Sequence, residues 1–295
     1  TTNAAAVLGA SATVTIGGSL LDTTSGLWQV ANTIFSGATL TVLPSVMTTN
    51  ATFQGVTTPG VFTINGNVTA TGFPTGLVVP IGSSTINGNF TTSGSGSLRM
   101  NAGAGAPILT VTGNATFSGG SVNGFLTSGR LRIGGNFTQS GNVNSFVADP
   151  GHTTVLIGTA AQTISFANPD SINSGSHFRS LVDSNLTAGG VTLLSNVFVN
   201  GMLSDGSPTV NEVIDGGGKL LFIGGGSVNL FSFNNVPLNV ADTVVQAFQM
   251  DNVTFSGYAA TANVFTIRMR TLQPRSMASP AFTGGTPTSP PYCHK

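Results

Sequence analysis

Four copies of one short phrase, each ending in glycine, decide the fold of this chain. They read VFTINGNVTATG at residues 61–72, STINGNFTTSG at 84–94, LTVTGNATFSG at 109–119 and LRIGGNFTQSG at 131–141. With Ile64, Ile86, Val111 and Ile133 aligned, successive copies lie 22, 25 and 22 residues apart. A repeat of that length indicates a solenoid, in which each copy is one coil.

Apolar residues alternate with polar ones inside each copy, which is typical of a strand with one buried face. We therefore expect the alternating pairs to stack from coil to coil as core-facing columns. The predicted pairs are Val14/Ile16, Leu40/Val42, Phe62/Ile64, Ser84/Ile86, Leu109/Val111 and Leu131/Ile133. The intervening residues, such as Thr63 and Thr85, should face outward.

Two corners follow the apolar pair in every copy. The first is predicted at Gly18, Pro44, Gly66, Gly88, Gly113 and Gly135. The chain then re-enters the core at Leu20, Val46, Val68, Phe90, Ala115 and Phe137. The second corner needs residues that tolerate positive φ and is predicted at Asn50, Gly72, Gly94, Gly119 and Gly141.

This pattern predicts an all-β, single-chain parallel β-helix of roughly 11 coils. Propeller blades, leucine-rich repeats and collagen repeat at other spacings or need residues that are absent. We expect an apolar N-terminal segment or cap at residues 1–11, the β-helix at 12–270 and an extended Pro-rich tail at 271–295.

The composition bounds the partners and the location. The chain has 295 residues, 40 of them Gly, and only 6% are charged, with nine acids balancing nine bases. A neutral chain is not expected to bind nucleic acid or an anionic membrane surface. No apolar run is long enough to span a bilayer, so membrane insertion is not expected. The low charge and the wealth of Thr, Asn, Ser and Gly favour an extracellular or cell-surface location over the cytoplasm.

The second half is less regular but keeps the pattern, as in TTVLIG at 153–158, AQTIS at 161–165 and VTLLSNVFVNGML at 191–203. Together with GNFTQSG at 135–141, this run resembles the Gly/Asn/Thr-rich repeats of filamentous-haemagglutinin-like and autotransporter-passenger β-helices. The resemblance covers about residues 12–203, and more loosely 217–269. It implies a bacterial surface β-helix and carries no active-site residues.

An asparagine column follows the first corner, at positions predicted to be Ser19, Ser45, Asn67, Asn89, Asn114 and Asn136. Two interpretations remain open. The column is either a ladder of amides that hydrogen-bond from coil to coil, or a row of N-glycosylation sites, because each Asn begins an N-x-T sequon. We favour the ladder for the repeated four. Isolated Asn185 and Asn252 are the better glycan candidates, and Asn50 is also in a sequon.

No constellation of residues indicates catalysis, a metal or a cofactor. Asp22 is the only acid before Asp149, and the others are spread singly: Asp170, Asp183, Asp205, Glu212, Asp215, Asp242 and Asp251. Asp205, Glu212 and Asp215 come closest to a cluster, but the glycines around them predict a solvated loop. The histidines, His152, His177 near Arg179 and Asp183, and His294, are too scattered for a zinc site or a triad.

Two further features have structural interpretations. Gly224, Gly225 and Gly226 follow a strand without the helix that a phosphate loop needs, which predicts a corner. Cys293 is either a free thiol or an intermolecular link.

These features predict an extracellular structural protein, not an enzyme, whose copies join head to tail into a surface filament or fibre. Its partners are then other copies of itself. The alternative is an adhesin or glycan-binding rod, with extracellular glycans as partners. Polysaccharide-active enzymes and ice binding are weaker hypotheses. Ice binding is prompted by Thr13/Thr15, Thr39/Thr41 and Thr110/Thr112, on a face that Asn65, Asn87 and Arg132 interrupt.

Overall fold

The computed structural model of the chain describes most of its first 256 residues. The described ranges are 13–16, 20–21, 28–36, 40–54, 56–57, 61–72, 76–101, 105–170, 175–206, 212–229, 231–234, 236–240, 243–246, 249–251, 254–256 and 281–283. The chain divides into two compact units, unit 1 (Thr1–Thr153) and unit 2 (Thr154–Lys295).

Unit 1 is built of short strands in the order β1 (Thr13–Ile16), β2 (Leu20–Leu21), β3 (Trp28–Ser36), β4 (Leu40–Gln54), β5 (Val56–Thr57), β6 (Phe62–Thr71), β7 (Leu77–Val78), β8 (Gly82–Ile86), β9 (Phe90–Thr92), β10 (Leu98–Arg99), β11 (Pro107–Val111), β12 (Ala115–Phe117), β13 (Arg130–Ile133) and β14 (Phe137–Gln139). β15 (Thr153–Leu156) begins at Thr153, the last residue of unit 1.

Unit 2 contains β16 (Gln162–Phe166), β17 (Ser180–Asp183), β18 (Val191–Leu193), β19 (Val197–Asp205), β20 (Glu212–Asp215), β21 (Leu221–Asn229), β22 (Phe231–Asn234), β23 (Pro237–Val240), β24 (Thr243–Gln246), β25 (Gln249–Asp251), β26 (Thr254–Ser256) and β27 (Ala281–Thr283). No helix occurs among the described residues, so none there is long and apolar enough to cross a membrane.

The fold is the predicted all-β parallel β-solenoid. Every strand pairing with a defined register is parallel, and the repeat region pairs as the sequence predicts. Ile64 pairs with Ile86, Ile86 with Val111, and Val111 with Ile133. The re-entry column follows the same order, Val68 to Phe90, Ala115 and Phe137. A third column of short strands, β5, β7 and β10, closes the coils.

The solenoid has about six coils, so the prediction of eleven is wrong. The prediction divided the chain length by the repeat period, which assumes the same number of residues in every coil. In unit 2 that number varies. Ile164 pairs with Leu193, 29 residues later, whereas Leu221 pairs with Leu238, 17 residues later.

The first two predicted coils are misplaced, because the prediction missed β3. Ile16 pairs with Phe35 of β3, whereas Leu40 and Val42 pair with Leu20 and Leu21. Because β3 has no glycine at its first corner, its sequence lacked the signal used to find coils.

Because the coil of β3 was missed, the predicted positions in the next coil, at residues 39–50, are also wrong. Pro44 is not a corner but lies inside β4, and Val46, rather than Val42, pairs with Ile64. Asn50 is not at the second corner either, since it pairs with Asn67. At that corner Gly72, Gly94 and Gly141 have the expected positive φ, whereas Gly119 does not.

Stacked phenylalanines fill the interior of unit 1. The Phe35 and Phe53 rings stack with their centroids 5.0 Å apart. Further along, the Phe117 centroid lies 5.8 Å from that of Phe90 and 5.6 Å from that of Phe137. All five side chains are fully buried. Each such ring pair contributes about 0.5–1.5 kcal/mol beyond the burial of its area, so the rings help to hold consecutive coils in register.

Part of the predicted tail lies on the sheet. β27, within residues 271–295, pairs with β26 through Phe282 and Phe255. The N-terminal segment 1–11 and the rest of the tail lie outside the described residues.

Candidate functional site

The asparagine column of unit 1 is a hydrogen-bonded ladder. The Oδ1 atom of Asn67 accepts a hydrogen bond of 2.9 Å from the backbone N–H of Asn89. Asn89 Oδ1 accepts from Asn114 N–H at 2.8 Å, and Asn114 Oδ1 from Asn136 N–H at 2.8 Å. Each amide thus satisfies a backbone donor of the next coil at the corner, where the strand ladder is interrupted.

The glycines before these asparagines are needed for close approach between coils. A Cβ atom on Gly113 would lie 2.5 Å from Asn89 Oδ1 and 2.8 Å from the Gly88 carbonyl oxygen. A Cβ atom on Gly135 would likewise meet Asn114 Oδ1 and the backbone at Gly113. The two residues of the G-N dipeptide therefore act together, because the glycine leaves space for the asparagine amide of the preceding coil.

The asparagine column contains two more asparagines than the sequence predicts. The backbone register pairs Asn32 with Asn50 and Asn50 with Asn67. Asn32 and Asn50 therefore occupy the places that were assigned to Ser19 and Ser45. The available signal was the heptapeptide ending in glycine, ANTIFSG at 31–37 and TNATFQG at 49–55, which matches GNFTTSG at 88–94.

The glycosylation candidates occupy different environments. Asn185 is fully buried, and its Nδ2 donates to the Ala160 carbonyl at 2.7 Å and to Gln162 Oε1 at 3.0 Å. A glycan on Nδ2 would displace these contacts, so the folded structure disfavours Asn185 as an acceptor. Asn252 lies outside the described residues. Glycosylation of the column asparagines stays a prediction.

Unit 2 encloses two carboxyl groups that the sequence did not bring together. Asp183, the last residue of β17, and Glu212, the first of β20, are both fully buried and interact electrostatically. The prediction that Glu212 lies in a solvated loop is therefore wrong. Asp205 ends β19 opposite Asp183 in the strand register. Asp215 is half-buried, and its Oδ1 accepts a hydrogen bond from Gly217 N–H.

Burial raises the pKa of Asp183 from 3.8 to about 7. The hydrogen bond that its Oδ1 accepts from Asn185 N–H at 2.9 Å opposes this shift, and the charge of Glu212 adds to it. Its Oδ2 atom is buried without a hydrogen bond. A carboxyl that is sealed from solvent cannot meet a substrate in this conformation, so we assign Asp183 a structural and titrating role.

Among the described residues, His152, His177 and Asp149 each contact a different part of the backbone. His152 is buried in unit 1, and burial lowers its pKa from 6.5 to about 4, against the opposing effects of the Ser128 carbonyl and Asp149. In unit 2, His177 Nδ1 lies 2.9 Å from the Gly175 carbonyl oxygen, and Arg179 donates to the Asn200 carbonyl. Asp149 Oδ2 accepts from Gly124 N–H in unit 1.

No group of three or more His, Cys, Asp or Glu side chains in the described ranges could hold a metal ion. Asp22, Asp242, Cys293 and His294 lie outside those ranges.

The triple glycine at residues 224–226 is not a corner, as was predicted. It lies inside β21, where the pairing with β19 shifts register between Val199 and Met202. A Cβ atom on Gly224 would lie 2.6 Å from the Asn200 carbonyl oxygen. Close backbone approach at this irregularity explains the glycine better than a turn does.

The comparisons with known proteins add no relative. No family model matches the chain, and no curated protein or solved structure matches it.

The asparagine ladder predicts a measurable stability difference in protein made without glycosylation. Asn114→Ala removes the acceptor for Asn136 N–H and should lower the free energy of unfolding by about 1 kcal/mol. Asn123→Ala is the matched control, because Asn123 is exposed and its backbone N–H, not its side chain, bonds Ser121. Its effect should stay within about 0.5 kcal/mol. Urea unfolding measures both, and equal stabilities would contradict the ladder.

The buried acid predicts how stability depends on pH. Because the folded pKa of Asp183 lies above its unfolded value, its contribution is fully present below about pH 4 and is lost as pH rises through about 7. The loss is at most about 1.4 kcal/mol per pH unit. Asp183→Asn should remove this slope in urea unfolding between pH 4 and pH 8. Val182→Ala, one residue away, should keep it, and a slope retained in Asp183→Asn would refute the assignment.

Proposed function

We propose that this chain is an extracellular structural protein whose copies join end to end through their terminal strands. The supporting observation is the uniform parallel pairing of the coils. In a parallel solenoid, the same backbone donors and acceptors that join one coil to the next are repeated at the outermost coil. A second copy can therefore continue the ladder without specific side chains.

The outermost described strands suit this role. β1 pairs with β3 on one side, and β27 pairs with β26 on one side. Their sequences, TVTI and AFT, contain no charge. Edge strands that avoid association are usually protected by charged residues, especially lysine, or by proline. A contact between two different ends builds a filament by repetition when its rotation does not close into a ring.

Composition and resemblance support the location. A chain with 6% charged residues is unusual for the cytoplasm. The Gly/Asn/Thr-rich coils, which fold as a β-solenoid, resemble those of filamentous-haemagglutinin-like and autotransporter-passenger surface proteins. Within the proposal, the chain is a bacterial cell-surface protein of that kind, and its partners are its own copies. A glycan-binding adhesin is the competing function.

The proposal predicts concentration-dependent assembly of the full chain. Sedimentation velocity and negative-stain microscopy should show filaments. Thr13→Lys adds a charge at an exposed position of β1, and deletion of residues 271–295 removes β27. Each change should give shorter or dispersed particles while the circular dichroism remains rich in β-structure. Thr112→Lys, at an exposed position between β11 and β12, is the matched control and should assemble normally.

Two results would reject end-to-end joining. One is a full chain that stays monomeric at every concentration tested, and the other is filaments that persist in both end variants. Monomers that bind a neutral polysaccharide would favour the adhesin instead.

A further inference from the structure

One outward strand face of unit 1 carries a row of threonine hydroxyl groups, and a second row of hydroxyls lies at the ends of the same strands. We define the threonine row as Thr52, Thr69, Thr91, Thr116 and Thr138, which are paired in consecutive coils. The second row lies two residues further along each coil and comprises Thr71, Ser93, Ser118 and Ser140. All nine residues are half-buried, as expected where each side chain covers part of the next.

The strand geometry sets the spacing of the threonine hydroxyls. Paired strands place the threonines about 4.7–4.9 Å apart along the row. Ser93, Ser118 and Ser140 lie one residue beyond the ends of β9, β12 and β14, so strand geometry sets the spacing of the threonine row alone. The threonine row is thus a regular array with a constant step from coil to coil. It is also firmly supported, because Phe90, Phe117 and Phe137 alternate with the threonines and are fully buried behind them.

The chemistry of the face is uniform. Neither row contains a charged or aromatic residue. Threonine presents a methyl group beside its hydroxyl, so the face combines hydrogen-bonding groups with apolar surface. Ser118 Oγ donates to the Thr92 carbonyl at 2.6 Å, and Thr71 Oγ1 is buried. Two hydroxyls of the second row are therefore turned toward the protein.

We propose that the threonine row binds the surface of ice. A rigid, regular array of hydroxyl and methyl groups can hold water molecules at repeated positions, and ice repeats its oxygen atoms on the same length scale as the separation of strands. A regular row suits a crystalline ligand because every coil makes the same contact with it. Individual weak contacts then add up along the row, as in any multivalent attachment.

A polysaccharide fits this face less well. Binding of a flexible sugar chain uses concave sites with aromatic side chains and a few convergent polar groups. On these strands the aromatic rings all point inward. Short side chains in straight rows form a regular repeated surface and not a concave pocket.

The threonine row is not the face on which the sequence hypothesis placed ice binding. The sequence hypothesis rests on the pairs Thr13/Thr15, Thr39/Thr41 and Thr110/Thr112. In the structure, Thr63, Thr85 and Thr110 form a separate row that ends at exposed Arg132. That row is interrupted by a charge, whereas the threonine row is not. The neighbouring row therefore supplies a control in the same coils.

Ice-affinity partition tests the proposal on the full chain. Protein is equilibrated with ice grown slowly on a cooled probe, and its concentration in the ice is compared with that of a protein that does not bind ice. The unchanged chain should be enriched in the ice. T91K/T116K places two bulky charges on the threonine row and should lower the enrichment to the non-binding level. T85K/T110K alters the neighbouring row and should keep it.

Circular dichroism and thermal unfolding confirm that each variant is folded. Should T91K/T116K fail to fold, the milder T91A/T116A removes the same hydroxyls and methyl groups and should also reduce enrichment. Exclusion of the unchanged chain from ice would overturn the proposal, as would equal enrichment of the folded threonine-row variant. Binding to a neutral polysaccharide without enrichment in ice would also overturn it. Because the face lies within unit 1, the result does not depend on end-to-end assembly.

Discussion

Parallel pairing between successive coils is the constraint on which the rest of the structure depends. Because pairing is in register, a residue type that recurs at one position of the repeat becomes a continuous column with a step of about 4.8 Å. In unit 1 this produces phenylalanines inside, asparagines at a corner and threonines outside. Core, corner and surface are three consequences of one register.

The two units satisfy their polar groups differently. At the first corner of unit 1, the amide oxygens of Asn67, Asn89 and Asn114 each accept a hydrogen bond from the next coil. The glycines at this corner leave space for the amides. In unit 2, Asp183, Asn185 and Glu212 are enclosed instead. Enclosure raises the pKa of Asp183, since a charged carboxylate is disfavoured away from water. The regular coils of unit 1 are thus joined at the corner by neutral asparagine amides. The irregular coils of unit 2 contain Asp183, whose carboxyl group titrates near neutral pH.

The regular coils were predictable residue by residue because period and alternation both report the register. From Phe62 to Phe137 the predicted columns are those observed. β3 was missed because it has no glycine at its first corner. Its pairing with β1 and β4, and the stacking of Phe35 on Phe53, define its place. Asp183 and Glu212 were not predicted to meet, because coils of unequal length separate them and no repeat fixes that distance. Within the threonine row, Thr69, Thr91, Thr116 and Thr138 follow from the repeat, and only Thr52 required the corrected alignment of β4.

Cysteine cross-linking tests the register most directly. In a Cys293→Ser background, T91C/T116C places two thiols on paired residues of adjacent coils, with Cα atoms about 4.8 Å apart, within disulfide range. T91C/T138C spans two coils, about 10 Å, beyond that range. The structure predicts that mild oxidation of monomeric protein closes the first pair within the chain and leaves the second reduced. A reduced first pair, or equal closure of both, would contradict the solenoid register.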